Sequence, residues 1–243
     1  MRRLLLAACP VAALATLIVA APATARDAYA KYYQAYAANP VAVVREPAPP
    51  ELIESSRDLD RDIALMWQRG YRAIGHSSFT AEKQDPKDAL KLASAIRARY
   101  VVLCQSCDPA SDDPARESSY DGGYDQEAVF FAPLEKSGSG LLVRDVTADE
   151  RDALGKNGAV AVIAVRNGSP ASAAGLVAGD MVLSANDIRA IDPDVWNRLF
   201  LVADAPIRLA FSRGGRRYDV LMTIPLEWRV GRLPKGQRRA PAR

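Results

Sequence analysis

Histidine is almost missing from this chain: His76 is the one example in 243 residues. A Ser–His–Asp triad therefore has a single possible base, and the chain has no Gly-Asn-Ser-Gly-Gly-like nucleophile loop to go with it. Cysteine is nearly as scarce, at Cys9, Cys104 and Cys107. A zinc site on the last two would need two more ligands, and only His76 or carboxylates are on offer. Charge of one sign is lacking as well. The 32 Lys and Arg stand against 29 Asp and Glu, a net charge of +3. A nucleic-acid binder carries a larger excess, gathered on one face, so no nucleic-acid partner is expected. No internal repeat is visible.

What positive excess there is gathers at the end. Arg232, Lys235, Arg238, Arg239 and Arg243 lie among Pro and Gly with no acid beside them. Residues 229–243 are expected to be a solvated, disordered tail, with contact to anionic lipid or cell envelope as the sharper alternative.

The first 25 residues read as an export signal. Arg2 and Arg3 form a positive start, Leu4 to Ala21 is an apolar run, and Ala23-Thr24-Ala25 supplies small residues for cleavage before Arg26. The expected location is the periplasm. An uncleaved inner-membrane anchor is one alternative. A lipoprotein, through Leu6-Ala7-Ala8-Cys9, is another. Export leaves Cys104 and Cys107, spaced C-x-x-C, in an oxidising compartment where a structural disulfide is expected.

Residues 26–50 read as a segment and connector: a loose helix over Arg26 to Asn39, a short strand over Val41 to Arg45, then Pro47, Pro49 and Pro50. Residues 51–135 read as a small α/β domain. A helix is expected from about Glu51, with Leu59, Ile63, Met66 and Trp67 on one face and Gly70 as its terminator. A strand follows over Tyr71 to Ser77. Asp85 caps a second helix with Pro86 at its first position. Tyr100 to Leu103 and Glu127 to Pro133 are further strands. Alternation of this kind predicts a parallel sheet with helical crossovers. The stretch from Cys107 to Tyr124 is a long exposed loop, and Glu135 to Ser139 a short flexible linker.

Residues 136–228 read as a mostly-β domain, which makes the fold class α+β overall. Gly140-Leu141-Leu142-Val143 is a Gly followed by a short apolar strand. Thr147 and Glu150 make a capping box. Strands are expected over Gly158 to Val165 and Met181 to Ala185, and a helix over Pro193 to Leu201. A hairpin turns at Gly214-Gly215.

The segment from Ser169 to Leu183 resembles the S-P-A-x-x-A-G-L-x-x-G-D-x-I-L signature of bacterial PDZ domains, the circularly permuted kind found in periplasmic HtrA-type proteases. Gly140 to Val143 sits where that family carries its G-L-G-F-like carboxylate loop. Two departures stand out: Asn186-Asp187 replaces the usual Asn-Gly, and Leu142 replaces the second Gly. The resemblance implies that Gly140, Leu141, Leu142 and Val143 bind a C-terminal or extended peptide, added as a strand. The helix with Trp196, Leu199 and Phe200 would be the other wall. It implies no cofactor. The front half, around Gly70 to Phe79, is similar to that of secreted bacterial proteins that also end in a PDZ domain, and brings no known activity.

The expected function is thus an exported, non-catalytic adaptor for envelope proteins. Two alternatives remain open. One is a hydrolase or thiol oxidoreductase on His76/Ser78 or Cys104/Cys107. Against it, His76 and Ser77 must point to opposite faces of their strand, and no helix starts at Cys104 to lower its pKa. The other is a structural envelope component whose groove is filled by its own chain.

Overall fold

A computed structural model describes residues 27–36, 48–81, 84–105, 124–154, 159–186, 188–189 and 205–229. The protein is α+β, built on two sheets. The first sheet holds β1 (Tyr33–Ala35), β2 (Glu51–Glu54), β3 (Tyr71–Ala81), β4 (Tyr100–Gln105) and β5 (Tyr124–Pro133), in the order β1-β3-β5-β4-β2. Helices α1 (Ala28–Lys31) and α3 (Pro86–Ile96) lie on one face, over Val101, Leu103, Ala128 and Phe130. Helix α2 (Leu59–Gln68) lies on the other, over Val102, Val129 and Phe131. Each strand alternates its side chains between these two layers, which is why consecutive apolar residues such as Val101 and Val102 are both buried.

The parallel sheet expected here is corrected to a mixed one. Among the described residues only β2 and β4 pair in parallel. Strand β5 runs antiparallel to both β3 and β4, so those two share a direction without touching. The strand–helix–strand rhythm thus sets direction correctly. It could not reveal that the next strand inserts between the two. The helix expected from Glu51 begins later. Residues Glu51–Glu54 pair with Tyr100–Leu103 as a strand, and Asp58 caps the helix by accepting from Arg61 N at 3.0 Å. The loose helix over Arg26 to Asn39 is a single turn, after which Tyr33–Ala35 pairs with β3. The strand expected over Val41 to Arg45 lies outside the described residues.

Local rules held at the caps. Asp85 accepts from Lys87 N at 2.9 Å with Pro86 at the first helical position. Gly70 follows α2 at φ +88°, a region where an L side chain would be strained.

The second sheet holds β6 (Leu141–Asp145), β7 (Val160–Val165), β8 (Met181–Ala185), β9 (Ile188–Arg189), β10 (Ile207–Arg213) and β11 (Arg216–Met222). Its order is β11-β10-β8-β7-β6, with β9 on β8. The short helices α4 (Ala148–Ala153) and α5 (Pro170–Ala173) sit between strands. The capping box of Thr147 and Glu150 is complete. The core joins Leu141, Val160, Val162, Ala171, Leu176, Val182, Leu209, Phe211 and Trp228. Asp180, fully buried, accepts from Val177 N and holds Arg213 through two bonds of 2.6 and 2.7 Å. That gives the Gly179-Asp180 pair its structural reason: Gly179 turns at φ +89° and the carboxylate ties the turn to β10. Asn186 itself takes the left-handed position, at φ +48°. Asn tolerates this better than most residues, and β8 and β9 pair on either side of it.

The linker is not flexible. Ser137 and Ser139 are buried. Gly138 N donates to Trp228 O at 2.8 Å, and the Arg166 guanidinium donates to the carbonyls of Leu134 and Glu135. Trp67 closes the joint. Its ring packs with Leu134, Ala164, Ala64 and Leu142. Asn167 N also donates to Gln68 O. Trp67→Ala should therefore cost about 3–5 kcal/mol, read as a lower urea midpoint for both sheets together; an unchanged midpoint would show that the joint carries no stability.

Candidate functional site

Strand β6 ends its sheet, with β7 on one side and no strand on the other among the described residues. The bond pattern shows which groups face that open side. Arg166 N donates to Gly140 O at 2.8 Å, so Gly140 and Arg166 form a hydrogen-bonded pair. Antiparallel ladders alternate. Leu141, opposite Val165, therefore turns its N–H and C=O to the open edge, and Leu142, opposite Ala164, turns back to β7. A bulge follows. Beyond it, Val162 spends both backbone groups on the β8 side, donating to Asp180 O and accepting from Gly179 N. Its opposite, Val143, turns its N–H and C=O outward too.

Side chains of β6 divide in the same way. Leu141 is buried in the core of the second sheet, and Val143 packs against it. Leu142 lies against Trp67 of α2. Of the sequence-predicted site, Gly140 to Val143 thus form one edge. Trp196, Leu199 and Phe200 lie outside the described residues.

The turn before β6 is tightly built. Gly138 and Gly140 have φ of +66° and +80°. A Cβ on Gly140 would stand 2.2 Å from Ser169 Cβ, so this glycine is required by packing against α5 whatever it binds. Gly140 O accepts from Trp67 Nε1 at 3.1 Å as well as from Arg166 N. Ser139 O accepts from Ala171 N, and Ser139 Oγ accepts from Leu141 N at 3.2 Å. Ser137 Oγ is buried with no partner among the described residues. Arg166 stacks on Trp228 at 5.0 Å, and burial lowers its pKa from the usual value. Sequence reasoning missed Trp67, Arg166 and Ser139 as parts of this turn. Trp67 was legible only as one apolar residue on a helix face.

At the far end of β6, Arg144 bonds both carboxylate oxygens of Glu150. That guanidinium, then the Thr147 amide, pull the Glu150 pKa down to about 2.

The residues of the enzymatic alternative are placed as follows. Ser77 is buried and donates to Tyr29 O at 2.8 Å, on the α1 face. His76 lies on the opposite face, stacked on Tyr36 at 5.2 Å, with its Nδ1 buried and without a partner among the described residues. Ser78 Oγ donates to Glu127 Oε1 at 3.4 Å. Cys104 is disulfide-bonded, and Cys107 lies outside the described residues. Among the described residues no three His, Cys, Asp or Glu gather as a metal site.

No family model matches the chain, and no curated protein matches it. Solved structures do. A variant of the HtrA-type protease AlgW with a decapeptide matches 44% of this chain and 39% of its own length, at 18% identity and a TM-score of 0.36. AlgW with a tripeptide matches 44% and 42%, at 18% identity and 0.32. The HtrA3 PDZ domain bound to a phage-derived ligand matches 36% of this chain and 82% of its own length, at 20% identity and 0.31.

Two outcomes follow from this geometry. Gly140→Ala should lower stability by at least about 2 kcal/mol, from positive φ and the clash together, seen as a lower urea midpoint; an unmoved midpoint would mean that α5 yields at no cost. Glu150, depressed in the folded state, stabilises fully above the ordinary carboxylate range and loses that effect as pH falls toward about 2. The melting-temperature gap between wild type and Glu150→Gln should accordingly be widest near pH 7 and narrow below pH 4.5. A gap that holds constant down to pH 3 would contradict the pairing.

Proposed function

We propose that this protein is an exported, non-catalytic adaptor. Its second sheet works as a PDZ-type module that captures C-terminal or extended segments of envelope proteins along β6. The carrying observation is the open edge of β6: Leu141 and Val143 direct backbone groups outward beside a fixed glycine turn. An anchored edge with no strand paired to it among the described residues is what β-strand addition requires. The Ser169–Leu183 signature supports the same reading.

The first sheet is then a scaffold, with α2 bracing the turn from behind. The leader, residues 1–25, supports a periplasmic location. Cys104 would close its disulfide with Cys107, tying down the start of the following loop. The basic end, with no acid nearby, suits weak contact with the envelope surface. A non-catalytic role is supported by the candidate nucleophiles. The Ser77 hydroxyl is buried and bonded elsewhere, and that of Ser78 is directed to Glu127.

The test is peptide capture by the exported form, beginning at Arg26. Peptides enriched from a display library should bind, and Val143→Pro should weaken them at least about tenfold. Proline on an edge strand deletes only an outward N–H, so the ladder to β7 is spared. Equal binding by a folded Val143→Pro variant would remove β6 as the binding edge.

A further inference from the structure

We infer that the β6 edge takes internal extended segments rather than free C-termini, and that Ser139 sets this choice. The inference rests on the peptide-binding reading above and names the ligand class for it.

A terminal carboxylate needs several backbone N–H groups converging on one point, free of other partners. Here the central donor of that set is already in use. The Leu141 N–H, the first to face the open edge, donates to Ser139 Oγ. The Leu142 N–H faces β7 by the alternation of the ladder. The Val143 N–H points outward as well, but without the Leu141 N–H beside it a carboxylate has too few donors along β6.

The turn also has little means of opening. Ser139 and Leu141 are both buried, and Ser139 O is held by Ala171 N. On one side Gly140 faces Ser169 so closely that a Cβ there would stand 2.2 Å from Ser169 Cβ. On the other the Gly140 carbonyl is fixed by Trp67 Nε1 and Arg166 N. The nearby cation does not substitute for the missing donors. Arg166 directs its terminal nitrogens to Leu134 O and Glu135 O and lays its plane on Trp228.

A carboxylate would thus have to displace the Ser139 hydroxyl from a buried turn. An internal strand meets no such demand. It pairs with the outward groups of Val143 and the Leu141 carbonyl, and its chain passes the turn without ending there.

The experiment uses the exported form and a peptide enriched from a library whose random segment is flanked on both sides. That peptide is made with a free C-terminal carboxylate, with a C-terminal amide, and with the flanking residues retained. Wild type should bind all three within about twofold. Ser139→Ala releases the Leu141 N–H and should favour the free acid over the amide by about fivefold or more. Ser139→Thr keeps the hydroxyl and should restore equal binding, and melting curves confirm that each variant is folded.

The inference is overturned if wild type prefers the free acid tenfold. It is equally overturned if a folded Ser139→Ala shows no acid preference. A carboxylate preference that Val143→Pro still abolishes would sink this inference and leave the β6 reading standing. No binding by any peptide would sink both.

Discussion

The carbonyl of Gly140 is held from two sides at once, by the Trp67 indole of the first sheet's helix and by the Arg166 amide of the second sheet. Around that point the rest of the structure is arranged. A buried carbonyl with two donors has little freedom to rotate, so the turn it belongs to becomes a fixed starting point for β6. The glycine is unavoidable, because its positive φ and the contact with Ser169 leave no room for a side chain. The indole is equally constrained. It lies among Leu134, Ala164 and Leu142, and so joins α2, the linker and the β6–β7 pair in one packed cluster.

This joint explains how an edge strand can be exposed and still well defined. Edge strands are a liability because their free backbone groups recruit other chains. Here the liability is confined. Beyond Val143 the strand becomes charged at Arg144 and Asp145, and Arg144 is engaged by Glu150. On the reading proposed above, the outward groups of Leu141 and Val143 form a short docking segment, with the first of them already satisfied by Ser139. The same features that make the edge safe define what it can accept.

Much of this was legible in the residues. The helix starts at Asp85 and Thr147 and the hairpin at Gly214-Gly215 follow from local chemistry, which acts within a few residues. The class, α+β, followed from the change of rhythm near Gly138. What was not legible is long-range. The placement of β5 between β3 and β4 depends on pairing across the whole first sheet. Glu51–Glu54 reads as a helix start until its partner, β4, is known. Ser137 to Gly140 has the composition of a flexible linker, and it is ordered by Trp67, Arg166 and Trp228, each distant in sequence. The wall expected from Trp196, Leu199 and Phe200 lies outside the described residues.

The central claim is that peptides add to β6 through Val143 while the turn at Leu141 stays closed. Amide-resolved hydrogen exchange on the chain beginning at Arg26, with and without a bound peptide, tests it most directly. The account predicts fast exchange at Val143 that becomes strongly protected on binding, and slow exchange at Leu141 in both states. Protection appearing at Leu141 on binding, or a Val143 amide already protected without peptide, would contradict it.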